Sequence, residues 1–238
     1  MNGASSKSRI ILFGAVFLLA LLALLPMRTG MEWLGLSDRG MAARSAHGSV
    51  WNGQLIESQF GDAALGNVDA GLNLFPLMLG RPRVAVARSP DNAAILGDFR
   101  GAISVSGISD MNATLPADWL FAPLPISALE LENVTVEFDN GQCVNADGLV
   151  RARIGGSLGG IALPEALVGN AACDDGALLL PLISQSGMEQ MDVRILAGGD
   201  YSAELRLMVA NEDARQRLAQ SGFAPGPNGY QLSVQGQF

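Results

Sequence analysis

The side chains able to do chemistry are few and scattered. His47 is the only histidine and sits among small residues in Ala46-His-Gly48, and Lys7 is the only lysine. A nucleophile needs a base within reach, and the chain offers no Gly-x-Ser-x-Gly turn to raise a serine. Asp174 and Asp175 are adjacent acids, the pattern of a solvated turn rather than of two opposed carboxylates. Two cysteines and one distant histidine fall short of a zinc site. Residues 155–160, Gly-Gly-Ser-Leu-Gly-Gly, imitate a phosphate loop, but no lysine follows, so they read as a turn between strands. We therefore expect no catalytic residues, no metal and no cofactor.

Cys143 and Cys173 are a different matter. An even cysteine count in an exported domain reads as a disulfide. Closing a loop of about 31 residues would contribute roughly 3 to 4 kcal/mol in the chain-entropy model. A redox role is the weaker reading, because there is no Cys-x-x-Cys.

Export itself is inferred from the start of the chain. Residues 10–25 are unbroken apolar sequence entered from Lys7 and Arg9. Carried through Met27, the run would be about 27 Å long as a helix, enough to cross a hydrocarbon core. The basic residues before it favour a cytoplasmic N-terminus. A cleaved signal peptide shares these features. The bulky and then charged Leu-Leu-Pro-Met-Arg offers no small-residue cleavage site, so an uncleaved anchor is expected. This gives a cytoplasmic N-terminus over residues 1–9, a transmembrane anchor over 10–27 and an exported β-rich domain over 28–238. The length would permit two lobes; one continuous domain is expected.

Beyond the span, 23 acidic residues face 13 arginines. Such a balance argues against nucleic acid and against adhesion to anionic headgroups. Apolar residues make up 49% of the chain and charged ones 16%. Either the span raises that average or some apolar surface faces a partner or a groove.

Strand signals dominate after Ser45. Short apolar stretches around Val50, Leu55, Leu65, Val68, Leu72, Val84 and Val86 are broken by glycines. Residues 103–108 alternate, and residues 129–138 alternate for longer, with Glu130, Glu132 and Glu137 on the outward face. Residues 193–195 and 201–209 resemble a hairpin across Gly198-Gly199-Asp200, and residues 230–238 form a closing strand. Two helices are predicted: a turn over residues 115–120, and a firmer helix from Asn211 to Gly222, with Asn211 as cap and acids in its first turn. Residues 30–41 read as an irregular helical turn. The fold class expected is mainly β: a transmembrane helix followed by one antiparallel sheet, curved or rolled, with a late short helix.

Three stretches together resemble the general secretion pathway protein N family of the bacterial type II secretion system. The first is Gly48-Ser-Val-Trp51-Asn-Gly53-Gln-Leu55, followed by Leu65-Gly66-Asn-Val68 and Leu74-Phe-Pro76-Leu77-Met-Leu79-Gly80. The second is the spaced cysteine pair. The third is the ending, a strand, a helix through Leu218 and Gly222, and Gly229-Tyr-Gln-Leu-Ser-Val-Gln-Gly236. One departure is Asp69-Ala70 after Val68, where the family pattern places Ser or Ala followed by Trp. Trp51 reads as a core aromatic packed over a turn, and Pro76 as the end of a strand.

The resemblance implies a non-catalytic, inner-membrane-anchored component of the secretion apparatus with its bulk in the periplasm. Other secretion subunits and the inner membrane would be its partners, and nucleic acid would not. Exposed sheet edges or apolar loops would make the contacts. The alternative reading is an AsmA-like periplasmic β-groove that binds or passes lipid.

Overall fold

A computed structural model describes residues 3–33, 41–60, 63–90, 97–118, 121–158, 161–209, 211–227 and 229–237. These residues fall into two compact units, 1–91 and 92–238. Both are built mainly from antiparallel strands.

The first unit opens with α1 (Gly3–Ala23) and α2 (Met27–Trp33). The expected transmembrane helix over residues 10–27 is corrected here. Pro26 has no N–H to donate and its ring obstructs the preceding turn, so the helix ends at Ala23 and a new one starts at Met27. The apolar part of α1, residues 10–23, reaches only about 21 Å, against a hydrocarbon core of ~30 Å. Among the described residues, no helix is long and apolar enough to cross a membrane.

Four of the unit's strands pair in the order β1 (Met41–Ala42), β3 (Asn52–Phe60), β4 (Ala63–Leu72), β5 (Arg83–Arg88); β2 (Ser45–Ser49) lies on β3 beside β1. Leu55, Val68, Ala70 and Val86 are buried at alternate positions of these strands. Between β4 and β5 stands a short helix, α3 (Leu74–Met78). Pro76 lies in its first turn, where its missing N–H costs no helical bond. It therefore belongs to a helix rather than ending a strand.

In the second unit the main sheet runs β6 (Phe99–Ser104), β7 (Gly107–Pro116), β8 (Ile126–Asp139), β9 (Gln142–Ile154), β12 (Ala166–Asn170), β14 (Ala177–Ile183), β15 (Glu189–Ile195), β16 (Asp200–Leu207), β18 (Gly229–Gln237), β17 (Ala224–Gly226). β13 (Ala172–Asp174) joins β14, and β10 (Ser157–Leu158) pairs with β11 (Ile161–Ala162). The predicted hairpin is present, with Ile195 opposite Tyr201, and the closing strand sets Tyr230 opposite Leu207.

The late helix, α4 (Glu212–Gln220), forms for the reasons its sequence gives. The Asn211 side chain accepts the Asp213 N–H at 3.0 Å, Glu212 and Asp213 meet the positive end of the helix dipole, and Ala214 and Leu218 share its buried face. The expected helical turn over 115–120 is not found at its start. Leu115 and Pro116 pair with Leu129 and Ala128 as the end of β7, and Pro116 needs no donor there. Residues 119 and 120 lie outside the described residues, as do 34–40 of the expected turn near the N-terminal helices.

Glu130 is less solvated than its alternation implied. It meets Arg151 at 3.5 Å and Arg153 beside it on β9. Arg206 donates to Glu204 at 2.7 Å and to Asp192; the Glu204 hydrogen bond, aided by the Asp192 charge and opposed by partial burial, raises its pKa above the ordinary guanidinium value. The cross-strand pairs Glu130–Arg151, Glu130–Arg153 and Asp192–Arg206, with Glu204 beside Arg206 on β16, line the half-exposed face of the strands, while Met191, Val193, Ala203 and Leu205 fill the buried one.

Candidate functional site

The residues singled out in the opening motif converge on one turn in the first unit. In the β2–β3 hairpin, Ser49 faces Asn52 and Gly48 faces Gly53, which leaves Val50 and Trp51 as the turn. Gly48 adopts φ +83°, a region other residues enter at a cost. The turn is held from two sides. On one side the Val50 N–H donates to the Leu25 carbonyl at 2.9 Å, and Pro26 bridges to Ser49. On the other side the Val50 carbonyl accepts from the Leu72 N–H at 2.8 Å.

Close backbone approach explains the glycines around it. A Cβ on Gly53 would stand 2.8 Å from Met27 Cγ and 2.9 Å from the Ser49 carbonyl oxygen, and one on Gly71 would stand 2.5 Å from the Trp51 carbonyl oxygen. Met27 is buried over Gly53, and Gly30 of α2 faces Val50. The arrangement is a mechanical joint: it fixes the end of α1 and the start of α2 to the first sheet.

Other residues of the motif lie apart from the joint. Gly66 pairs with Ser58 at an irregularity of β3 and β4, where the buried Ser58 hydroxyl donates to the Gly66 carbonyl at 2.7 Å. Pro76 and Gly80 belong to α3 and its exit: the Arg81 N–H donates to the Pro76 carbonyl at 2.9 Å. The departure at Asp69 has a local reason. Gln54 Nε2 donates to Asp69 Oδ1 and to Ser89 Oγ, each at 3.1 Å, and Ser89 Oγ donates to Asp69 Oδ2 at 3.1 Å. An alanine could not close that part-buried set.

The cysteines form the expected bridge. Cys143, next to the β8–β9 turn, is bonded to Cys173 on β13, with Cα atoms 5.4 Å apart, and the Cys143 N–H donates to the Gly176 carbonyl. The bridge ties the β8–β9 hairpin to the β13–β14 hairpin where the two already meet through that hydrogen bond.

His47 is exposed on β2 opposite Gln54. Asp174 is paired with Arg194, and Asp175 sits in the β13–β14 turn at φ 48°. Among the described residues, no group of three or more His, Cys, Asp or Glu is placed to hold a metal ion.

Sequence reasoning missed two features. The first is a shallow cleft of about 300 Å³ in the second unit, lined by Leu163, Met188, Met208, Val209 and Ala214 among others. The Met208 N–H donates to the Met188 carbonyl, and both side chains are about half exposed. Single methionines in mixed sequence carry no signal for such a meeting. The second is the display of Leu74, Phe75 and Met78 on α3 and of Leu79 just after it, at 56%, 74%, 79% and 66% exposure. Its signal was present as an apolar run broken by proline and closed by Gly-Arg-Pro-Arg.

Comparison with known proteins agrees on one family. The family model described as "Type II secretion system (T2SS), protein N" matches residues 39–233. The type II secretion system protein N of Vibrio cholerae serotype O1 is 23% identical over 245 residues, covering 95% of this chain and 96% of that protein. No solved structure matches.

Proposed function

The chain belongs to the type II secretion system protein N family, and from that premise we propose that it is a non-catalytic component of the secretion apparatus that works by contact with other subunits. Its bulk stands in the periplasm, and α1 holds it at the inner membrane. Family membership is the observation that carries this reading.

Several features support its parts. Ile10, Ile11, Leu12, Phe13, Val16, Phe17 and Leu21 are all more than half exposed on α1, an all-round apolar surface suited to lipid rather than water. The disulfide suits an oxidising compartment. For the contact itself, the short terminal strands β1 and β17 offer little backbone for strand addition. The Met188–Met208 cleft is the better surface, because flexible thioether side chains adapt to an apolar partner. At about 300 Å³ the cleft lies at the lower end of small-molecule sites, and no specific observation favours the lipid-groove alternative.

Photo-crosslinking from Met188 and Met208 in the full chain, in cells whose secretion depends on this protein, tests the reading. Adducts with other secretion subunits are expected at both positions. Adducts with lipid alone would replace the contact reading with the groove, and no adduct at either would remove this cleft as the contact surface.

A further inference from the structure

We infer that α3 is a second membrane contact of this protein, inserting its apolar residues into the bilayer surface beside α1. The inference rests on the reading that α1 holds the chain at a membrane, and it adds a part that neither family membership nor the anchor supplies.

Position comes first. The Leu25 carbonyl, two residues past the end of α1, accepts from Val50, and the Val50 carbonyl accepts from Leu72, so two strand spacings, about 10 Å, separate the exit of α1 from the end of β4. Asn73 follows and α3 begins at Leu74. The Asn73 N–H donates to the Arg83 carbonyl, which pins both ends of the α3 connection at this rim of the sheet. If α1 is buried in lipid up to its last turn, α3 stands at the level of the headgroups.

Chemistry points the same way. Four large apolar side chains, Leu74, Phe75, Met78 and Leu79, are exposed within one short connection. An exposed cluster of that kind costs solubility unless something covers it. Between Asp69 and Asp91 there is no acidic residue, whereas Arg81, Arg83 and Arg88 all fall there, in a chain of net charge −8. Arg88 is buried and donates to the Leu65 carbonyl, which leaves Arg81 and Arg83 as the exposed cations next to the apolar cluster. Apolar side chains flanked by arginines match an interface of acyl chains and anionic phosphates. The acidic balance of the whole chain therefore does not describe this rim: repulsion from lipid elsewhere would leave the rim as the face that turns toward it.

The test uses the full chain reconstituted in vesicles of phosphatidylethanolamine and phosphatidylglycerol. Cys143 and Cys173 are bonded to one another, so a single added thiol can carry an environment-sensitive fluorophore. Three variants suffice: Phe75→Cys on α3, Phe17→Cys on α1, and Gln59→Cys near the other end of β3, about 23 Å along the strand from the β2–β3 turn. Expected is a blue shift, with quenching by spin-labelled acyl chains, at Phe75 and Phe17 and neither at Gln59. Replacing Arg81 and Arg83 by Glu in the Phe75→Cys background should reduce the quenching. A lipid signal at Phe17 with an aqueous one at Phe75 would overturn this inference and leave the anchor standing, with α3 then free for another protein. An aqueous signal at Phe17 would overturn the anchor and this inference together. Equal quenching at Gln59 would show non-specific adsorption, which also overturns it.

Discussion

At the scale of single residues, the joint below α1 turns on atoms that are missing. Gly71 has room for no Cβ because the Trp51 carbonyl oxygen is 2.5 Å from where it would stand, and backbone cannot step aside as a flexible side chain can. Gly71→Ala should therefore destabilise the protein by about 1–3 kcal/mol, the cost of forcing extra volume into a packed site. Gly155→Ala, where nothing lies within 4 Å and φ is not positive, is the matched control and should change stability by less than ~0.5 kcal/mol. Chemical denaturation of the two variants checks the difference. A Gly71→Ala protein as stable as the control would mean that the Val50–Trp51 turn is not clamped. Of this joint the sequence showed only the glycine-rich hairpin. Leu25 and Leu72 approach Val50, and Met27 approaches Gly53, through long-range contacts that local periodicity does not encode.

At the scale of elements, the disulfide is the covalent tie between β9 and β13, which the sheet joins by few hydrogen bonds. Removing it by Cys143→Ser or Cys173→Ser should lower stability by about 2–5 kcal/mol in non-reducing denaturation, whereas both variants should match wild type once the latter is reduced. An unchanged midpoint would mean that the hairpins hold together without it. The pair is legible from the cysteine count together with the expectation of export. So are the β15–β16 hairpin and α4, whose alternation and capping signals are local. The failures fell where a proline carries two meanings. Residues 115–120 read as a helical turn, yet Leu115 and Pro116 end β7, because the pairing of Leu115 with Leu129 outweighs a weak helical preference. Pro76 was read as ending a strand and lies in the first turn of α3. Pro26 reads as part of a span, yet it divides α1 from α2.

At the scale of the whole molecule, the division of α1 from α2 decides how the proposed anchor should be removed to test it. The segment that follows α1 belongs to the folded unit: the Leu25 carbonyl completes the Val50 turn and Met27 is buried over Gly53. A cut through residue 27 would therefore confound loss of α1 with loss of the joint. Removing residues 3–23 and exporting the remainder with a cleavable signal should leave the unfolding midpoint close to that of the full chain. On the proposed function secretion should nevertheless fall, because tethering by α1 would set the local concentration of the contact surface near its partners. Removing residues 3–33 should cost stability as well, through exposure of the apolar surface that Met27 covers. His47→Ala supplies the complementary control. His47 is exposed and the only histidine, so a contact mechanism predicts wild-type secretion from a folded His47→Ala protein. The comparison needs a host in which loss of the whole protein measurably lowers secretion. A folded His47→Ala variant as defective as the complete deletion, alongside a 3–23 deletion that secretes normally, would reverse the assignment: the histidine would then carry the function, and the anchor would be dispensable.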